Sequence, residues 1–218
     1  MLLRGCGNIM RNIDILIKRL IDFFGSLLGI IITSPLLITI ALLIKLTSKG
    51  PVFFTQKRLG KDGKTFKILK FRTMVVGAEK IGDGLTVKSE NDSRITKIGR
   101  VLRATSLDEL AQLFNVLKGD MSLVGPRPPV PYHPYEYYEY NDFQKRRFDM
   151  KPGMTGLTQI SVRNSVPWDE RILIDVEYVD NFSIWLDIKI LFKTLLKIFR
   201  RENIYTKDVL GSKTNLNI

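Results

Sequence analysis

The chain has 218 residues, with 34 Lys and Arg against 22 Asp and Glu, and its formal net charge is +12 at pH 7. This charge favours an anionic partner: a nucleic acid, an anionic lipid or a phosphorylated substrate. This length holds one sizeable domain with an appendage. The single cysteine, Cys6, excludes an internal disulfide and a zinc site, and the single histidine, His133, leaves little room for a Ser-His or Cys-His nucleophile, so any catalysis must rest on carboxylates and basic groups.

An apolar run comes first along the chain. Residues 23–44, FFGSLLGIIITSPLLITIALLI, carry no charge, which is enough for a transmembrane helix at about 20 residues per bilayer core. A signal peptide fits less well, because the run is long and no A-x-A-like site follows it. Ser34 and Pro35 fall near its middle, where proline bends a helix. Since basic residues flank both ends, the positive-inside rule favours a re-entrant hairpin, and a kinked spanning anchor is the alternative.

The next stretch predicts a β-hairpin with a basic face. Residues 52–74, VFFTQKRLGKDGKTFKILKFRTM, alternate apolar and polar side chains on both sides of Asp62 and Gly63, a pair that suits a tight turn. Residues 77–94 are polar, contain glycine and show little apolar periodicity. They therefore predict a surface loop.

A helix is predicted from Leu107 onward, with Gly119 as its C-terminal cap. Three-and-four spacing places one set of apolar residues on a common face: Leu107, Leu110, Leu113, Phe114 and Leu117. The same spacing places the polar residues Asp108, Gln112 and Asn115 on the opposite face.

The acidic pair Asp108-Glu109 allows two interpretations. Ser106 followed three residues later by Glu109 fits a capping box, which explains Glu109 by structure alone. Asp108 would sit near the positive end of the helix dipole and stay ionised. Such a carboxylate can ligate a hard cation such as Mg²⁺ or attack phosphorus, with Arg100 and Arg103 nearby to offset the charge of a phosphate. A plain helix start is the alternative.

A stiff proline-rich loop follows at residues 122–131, SLVGPRPPVP. It carries one charged side chain, Arg127, on a backbone that its prolines restrict. This arrangement suits anion recognition, and a structural turn explains it equally well.

The segment IWLDIKILFKTLLKIFRR, residues 184–201, predicts a basic amphipathic helix. Its cations recur every three or four residues among apolar side chains: Lys189, Lys193, Lys197 and Arg200. Such a helix lies in a bilayer interface with its apolar face among the headgroups. A core helix with a solvated lysine face is the alternative, and the apolar run in the same chain favours the membrane.

Taken together, several ordered motifs resemble the bacterial sugar transferase family, the monotopic phosphoglycosyl transferases, in the small form without extra N-terminal transmembrane helices. The resemblance extends from about residue 14 to residue 200. It is carried by the Ser34-Pro35 break, GPVFFTQKRLGKDGKTFKILKFRTM at 50–74, LTVKSENDSRITKIGRVLRATSLDELAQLFNVLKGDMSLVGPRP at 85–128, KPGMTGLTQI at 151–160, and VEYVDNFSIWLDIKILFKTLLKIF at 176–199.

The expected fold is α+β: a re-entrant membrane helix hairpin followed by a compact cytosolic catalytic domain with a short β-hairpin and interfacial amphipathic helices. We expect residues 1–48 to form the membrane-associated segment, residues 49–201 the catalytic domain and residues 202–218 a tail. The family resemblance implies a location at the bacterial inner membrane, with the catalytic domain on the cytoplasmic face.

The resemblance also implies a reaction. A phosphosugar passes from a UDP-sugar to undecaprenyl phosphate, which releases UMP and forms an undecaprenyl diphosphate sugar. By the family pattern Asp108 attacks the sugar-bearing phosphate to give a covalent aspartyl-phosphosugar, Glu109 is its partner, and Mg²⁺ lies at the pair on Asp108. A covalent intermediate of this kind gives ping-pong kinetics.

Further positions match the family's functional residues. Arg103 and Arg127 match basic positions that contact phosphate or nucleotide, and Lys70 and Arg72 of KFRTM match less closely. Ser34 and Pro35 match the break in the membrane helix.

The sequence departs from the family pattern at Leu157-Thr158 and at Val162 before Arg163, so the resemblance implies no particular sugar. It also predicts no particular oligomeric state. The alternative function is a basic membrane-attached scaffold or binding protein without catalysis. Nucleic-acid binding is disfavoured, because no RNA- or DNA-binding pattern accompanies the basic charge.

Overall fold

The computed structural model describes the backbone of residues 2–81, 92–162 and 166–199, and the side chains of residues 13–197 within these ranges. Over this part of the chain the fold is α+β, with two two-stranded sheets among the helices. The helices are α1 (Leu2–Thr47), α2 (Lys97–Ala104), α3 (Gln112–Lys118), α4 (Asp142–Lys145), α5 (Leu157–Ser161), α6 (Trp168–Asp180) and α7 (Ile184–Phe199). The strands are β1 (Phe53–Leu59), β2 (Thr65–Phe71), β3 (Ser122–Val124) and β4 (Gly153–Thr155). The tail at 202–218 and most of the loop expected at 77–94 lie outside the described residues.

Helix α1 runs without interruption through Ser34 and Pro35, so the expected hairpin is not confirmed. The reason is local hydrogen bonding. Proline lacks the N–H that would reach the carbonyl four residues back, here Ile31. The Ser34 hydroxyl donates to that carbonyl at 2.8 Å and replaces the missing donor. The serine therefore lets the helix continue past its proline.

One narrow stripe of α1 packs on the rest of the domain along most of its length. The buried residues of the helix are Lys18, Asp22, Ser26, Leu37, Ile40 and Ile44, and the half-buried Gly29 and Thr33 continue the three-and-four spacing between Ser26 and Leu37. Midway, a Cβ added at Gly25 would lie only 2.9 Å from Leu123 Cδ1. The other faces expose large apolar side chains, among them Ile32 and Leu46 at 67% and 81%. From Ile13 to Thr47 the helix is long and apolar enough, by length and composition, to cross a membrane.

Polar contacts fix the beginning of this stripe. The Lys18 ammonium donates to the Val124 carbonyl at 2.9 Å and forms a buried ion pair with Asp187 of α7 at 2.5 Å. The Asp22 carboxylate accepts from the Ser122 hydroxyl at 2.9 Å. At the other end of the stripe, Ile44 is fully buried in the core beside the hairpin. Both ends of this stripe therefore belong to the same folded unit.

The predicted β-hairpin is confirmed. Strands β1 and β2 pair antiparallel, from Phe53 opposite Phe71 to Leu59 opposite Thr65. The turn between them places Asp62 at φ 56° and Gly63 at φ 71°, the left-handed conformations that this residue pair tolerates. The Asp-Gly signal was sufficient to locate the turn.

A second small sheet holds the proline-rich loop. Strands β3 and β4 run parallel, with Ser122 opposite Gly153 and Val124 opposite Thr155. The two backbones approach so closely after β3 that a Cβ at Gly153 would lie 2.0 Å from the Gly125 amide nitrogen. This contact requires glycine at position 153.

The predicted start of the helix at Leu107 is wrong in its details. Residues Leu107–Ala111 form a 3₁₀ segment, and the α-helix begins only at Gln112. Ser106 adopts a left-handed conformation at φ 57°, and its side chain makes no capping hydrogen bond. A capping serine needs extended backbone, and the Glu109 carboxylate pairs with Lys70 instead of reaching back. The expected capping box is therefore absent at this position.

The polar face of this helix is buried against the hairpin. Gln112 and Asn115 are 3% and 6% exposed, whereas Phe114, expected on the apolar face, is exposed. The Asn115 side chain accepts from the Leu69 amide at 2.8 Å and donates to the Lys67 carbonyl at 2.8 Å, so it extends the hydrogen bonding of β2. Gly119 ends the helix at φ 98°, as predicted.

Helix α7 forms where the basic amphipathic helix was predicted. Ile190 is fully buried, but several large apolar side chains face outward, with Trp185 and Phe192 at 64% and 62% exposed. Lys189 and Lys193 are exposed as well. A core helix would bury its apolar side chains, so α7 presents the mixed surface expected of an interfacial helix.

Candidate active site

The acidic pair lies on the 3₁₀ segment Leu107–Ala111, which follows α2 in the chain and packs against both α2 and the hairpin strand β2. Leu107 and Leu110 of this segment pack against the core that joins α1, Phe71 and Leu102. This packing fixes the backbone that carries Asp108 and Glu109. Because a 3₁₀ turn replaces the first turn of the predicted helix, the two carboxylates are held by tertiary contacts and not by a helical cap.

Glu109 is the permanently ionised member of the pair. Its Oε1 accepts from Lys70 Nζ at 2.6 Å. Burial by itself would raise the pKa of Glu109, but the positive charges of Lys70, Arg127 and Arg58 outweigh that effect and hold the pKa at about 2. Glu109 therefore cannot act as a proton donor near neutral pH.

Asp108 has the opposite electrostatic character. Burial raises the pKa of Asp108 to about 6, with the charge of Lys70 opposing this shift and the charge of Glu109 adding to it. Arg103 lies near enough to lower the same pKa. The Asp108 carboxylate has no hydrogen-bond partner on another residue that the structure describes. At this pKa the Asp108 carboxylate is mostly ionised at pH 7.

The basic residues predicted for the site are brought together, with one exception. Lys70 contacts Glu109, Arg103 acts on Asp108, and Arg127 acts on Glu109. Within the described part of the chain, the Arg103 guanidinium makes only a long contact, to Met74 Sδ at 3.9 Å. Among the residues that the structure describes, the Arg127 guanidinium makes no hydrogen bond.

The exception is Arg72, whose side chain is buried at the end of α1. Its guanidinium donates to the carbonyl of Lys49 at 2.5 Å and to the carbonyl and hydroxyl of Ser48 at 3.0 and 2.8 Å. These bonds satisfy backbone carbonyls that follow the last turn of the helix. Arg72 thus links the hairpin to α1.

Arg58 is a basic residue that the sequence interpretation missed. It lies at the end of β1, where it donates to the Pro128 carbonyl at 3.0 Å and to Gln56 Oε1 at 2.7 Å. Burial and the neighbouring charge of Arg127 lower the pKa of Arg58 to about 10. A signal was available, because Phe54, Gln56 and Arg58 share the inward face of β1 by two-residue alternation.

The chemistry of the acidic pair fits Mg²⁺. No group of three or more His, Cys, Asp and Glu side chains that could hold a metal ion exists among the residues described here. Mg²⁺ is usually held by one or two carboxylates, with phosphate oxygens and water completing its coordination. Asp108 and Glu109 are adjacent carboxylates in a setting of phosphate-binding cations, which is this donor set.

The site therefore combines an unpaired carboxylate with an excess of positive charge. The cations are Arg58, Lys70, Arg103 and Arg127. Phosphoryl transfer needs mainly positioning and charge neutralisation, and this site offers both without histidine or cysteine.

Comparison with known proteins gives consistent results. A family model described as "Bacterial sugar transferase" matches residues 13–201. The chain is 47% identical over 188 residues to "Galactosyl transferase CpsE" of Streptococcus agalactiae, an alignment that covers 82% of this chain and 41% of that protein. It is 44% identical over 201 residues to "UDP-glucose:undecaprenyl-phosphate glucose-1-phosphate transferase" of Klebsiella pneumoniae, covering 90% of this chain and 43% of that protein.

A relative of the same printed name from Caulobacter vibrioides is 40% identical over 208 residues, covering 93% of this chain and 77% of that protein. The chain thus spans less than half the length of the Streptococcus and Klebsiella proteins and about three quarters of the Caulobacter protein.

Proposed function

The chain belongs to the bacterial sugar transferase family, and we propose that it transfers a phosphosugar from a UDP-sugar to undecaprenyl phosphate as the first membrane step of glycoconjugate assembly. The products are UMP and an undecaprenyl diphosphate sugar. One observation carries this proposal: Asp108, with a pKa of about 6 and no partner on a neighbouring described residue, stands among phosphate-binding cations. Two of the relatives are named for this type of transfer with UDP-glucose.

The reaction proceeds in two balanced steps. First, an Asp108 carboxylate oxygen bonds to the sugar-bearing phosphorus, the bond from that phosphorus to the bridging oxygen breaks, and UMP leaves. Second, a phosphate oxygen of the lipid attacks the same phosphorus, and the Asp108 carboxylate is released unchanged. Neither step needs a proton from the protein, which agrees with a site that offers no histidine.

The charged neighbours divide the remaining work. Lys70 keeps Glu109 ionised. Its positive charge also reduces the electrostatic repulsion between Asp108 and an approaching phosphate. Arg103 and Arg127 neutralise phosphate oxygens. Mg²⁺, when bound by Asp108 and Glu109, supplies further neutralisation of the phosphates.

The membrane segment supports a monotopic arrangement with the domain on the cytoplasmic face of the inner membrane. The stripe of α1 that contacts the domain extends from Lys18 to Ile44, about 39 Å at 1.5 Å per residue. A bilayer core is about 30 Å thick, so a helix attached to one domain at both ends of this stripe cannot carry one end across. The exposed apolar faces of α1 and α7 enter the lipid from one side.

The proposed reaction is tested with membrane fractions, a panel of UDP-sugars that includes UDP-glucose and UDP-galactose, and undecaprenyl phosphate, with UMP release as the readout. Asp108→Asn is expected to abolish both UMP release and the covalent adduct while membrane association persists. Normal turnover by this variant would refute Asp108 as the nucleophile, and absence of turnover by the unmodified chain with every donor would favour the scaffold alternative.

The topology has its own test. Single cysteines introduced at Asp14 and Lys45, neither of which is buried, on a background in which Cys6 is replaced, are labelled with a membrane-impermeant reagent. Both are expected to react only from the cytoplasmic side. Labelling from opposite sides would refute the monotopic arrangement.

A further inference from the structure

Two of the four cations of the site, Lys70 and Arg58, lie on one face of the hairpin. Lys70 pairs directly with Phe54 across the strands, so their side chains share a face, and Arg58 lies on that face too. Phe54 and Arg58 are four residues apart in β1, which is about 13 Å along a strand. The Glu109 carboxylate contacts Lys70 and is also influenced by Arg58. Lys70 and Arg58 therefore start from separate positions on the strands and both act on one carboxylate, and with Arg103 and Arg127 the site holds more positive charge than one phosphate group requires.

The two ends of this site serve different carboxylates. Lys70 and Arg103 are the cations that act most strongly on Asp108. Besides Lys70, the cations that act on Glu109 are Arg127 and Arg58. Lys70 thus acts on both carboxylates, and Arg103 acts on Asp108. Arg58 and Arg127, here called the arginine pair, act on Glu109.

The arginine pair is held in place by backbone contacts on both sides. Arg58 donates to the Pro128 carbonyl at 3.0 Å, and the Leu59 amide donates to the Pro129 carbonyl at 2.9 Å. On the other side, the Arg127 carbonyl accepts from Arg147 at 3.0 Å.

Arg147 is itself fixed by a buried ion pair with Asp175 at 2.5 Å. The peptide of Arg127 is therefore rigid although its guanidinium forms no hydrogen bond within the described chain. Holding two guanidinium groups side by side costs free energy, because like charges repel, and a bound dianion offsets that cost.

We propose that Arg58 and Arg127 together bind the nucleoside phosphate of the donor, the group that leaves, while the attacked phosphate lies between Asp108, Lys70 and Arg103. This inference rests on the proposed function and assigns Arg58 a direct substrate contact. As the Asp108 oxygen bonds to the sugar-bearing phosphorus, the bridging P–O bond breaks and its electron pair stays on the departing nucleoside monophosphate. The added negative charge develops beside the arginine pair, where it is stabilised.

The test measures UMP binding by the full chain in lipid nanodiscs, without donor or acceptor. Arg58→Met is expected to weaken UMP binding by about tenfold to a hundredfold, as for loss of a charge-assisted hydrogen bond. Arg58→Lys should recover most of the affinity. Lys57→Met is the matched control, because Lys57 is exposed on the opposite face of β1, and it should bind UMP as the unmodified chain does.

A second readout separates a substrate contact from a structural one. Uridine lacks the phosphate that Arg58 is proposed to bind, so its affinity should change less than about threefold in Arg58→Met, whereas a structural defect would weaken uridine and UMP binding alike. If Arg58→Met does not fold, the same measurements are made with Arg58→Gln, which keeps an N–H donor for Pro128 and removes the charge.

Three results would overturn the inference: no UMP binding by the unmodified chain, unchanged UMP affinity in Arg58→Met, or equal losses in UMP and uridine binding. Each differs from failure of the proposed function, which is read from turnover by Asp108→Asn. UMP binding that depends on Arg58, together with turnover retained in Asp108→Asn, would support the nucleotide site and refute Asp108 as the nucleophile.

Discussion

Lowering the pH from 7 to 5 should slow formation of the covalent adduct about tenfold. Only the ionised Asp108 carboxylate can attack phosphorus, and burial raises its pKa to about 6. A group with this pKa is roughly nine-tenths ionised at pH 7 and one-tenth ionised at pH 5. A carboxyl group with the ordinary value of 3.8 would remain almost fully ionised over the same interval. The rate should therefore rise with pH through a midpoint near 6.

The assay is the burst of UMP released by rapid mixing with a UDP-sugar when no lipid acceptor is present. This isolates the first half-reaction and avoids the titration of the lipid phosphate. Each measurement is repeated at constant ionic strength, because exposed charges are screened by salt.

Two variants should move the midpoint in opposite directions. The charge of Lys70 lowers the pKa of Asp108 and the charge of Glu109 raises it. Lys70→Met should therefore shift the midpoint to higher pH, by about one pH unit or more, and Glu109→Gln should shift it to lower pH. Asp62→Asn, in the exposed hairpin turn, is the control and should leave the profile unchanged.

A burst rate that stays constant between pH 5 and pH 7 would refute the raised pKa. Shifts of the same sign in both variants would refute the electrostatic account of the acidic pair.

Three further substitutions test the scaffold. Arg72→Met should destabilise the fold by about 3 kcal/mol, because the carbonyls of Ser48 and Lys49 lose their donor. It should leave the pH midpoint of the burst unchanged, and a shifted midpoint would show that Arg72 acts on the acidic pair. Ser34→Ala should cost about 1 kcal/mol in a thermal melt, and no loss would mean that the Ile31 carbonyl does not depend on the hydroxyl. Gly153→Ala should cost more than about 3 kcal/mol, since its Cβ would clash with the backbone of residue 125, and a normal melt would show that the strands can separate.

The parts of the fold that depend on local chemistry could be predicted from the sequence. The Asp62-Gly63 turn and the alternation around it gave the hairpin, and Gly119 gave the end of α3. These signals succeed because a positive φ restricts the residue type at one position, whatever the rest of the chain does.

The start of the acidic segment could not be predicted in the same way. Ser106 and Glu109 have the spacing of a capping box, but the Lys70 ammonium, 39 positions away in the chain, competes for the Glu109 carboxylate. An ion pair with strong neighbouring cations outweighs a local hydrogen bond between exposed groups. The contacts of Arg72 and Arg58 could not be predicted for the same reason. Arg72 donates to Ser48, directly after α1, and Arg58 donates to Pro128 in the proline-rich loop, so only the tertiary fold brings these partners together.

The division of roles within the acidic pair follows from the same long-range contacts. The two adjacent carboxylates differ in pKa, about 6 for Asp108 and about 2 for Glu109, because burial raises the pKa of Asp108 whereas Lys70, Arg127 and Arg58 outweigh burial at Glu109. A carboxylate whose charge is neutralised by several cations is a weak base and a weak nucleophile, and Glu109 already has a hydrogen-bonded partner. Its fixed negative charge raises the basicity of Asp108 without occupying it. The residue with the higher pKa is thus also the one whose carboxylate has no hydrogen-bonded partner on another described residue, and the network that binds Glu109 supports the proposed role of Asp108 as the nucleophile.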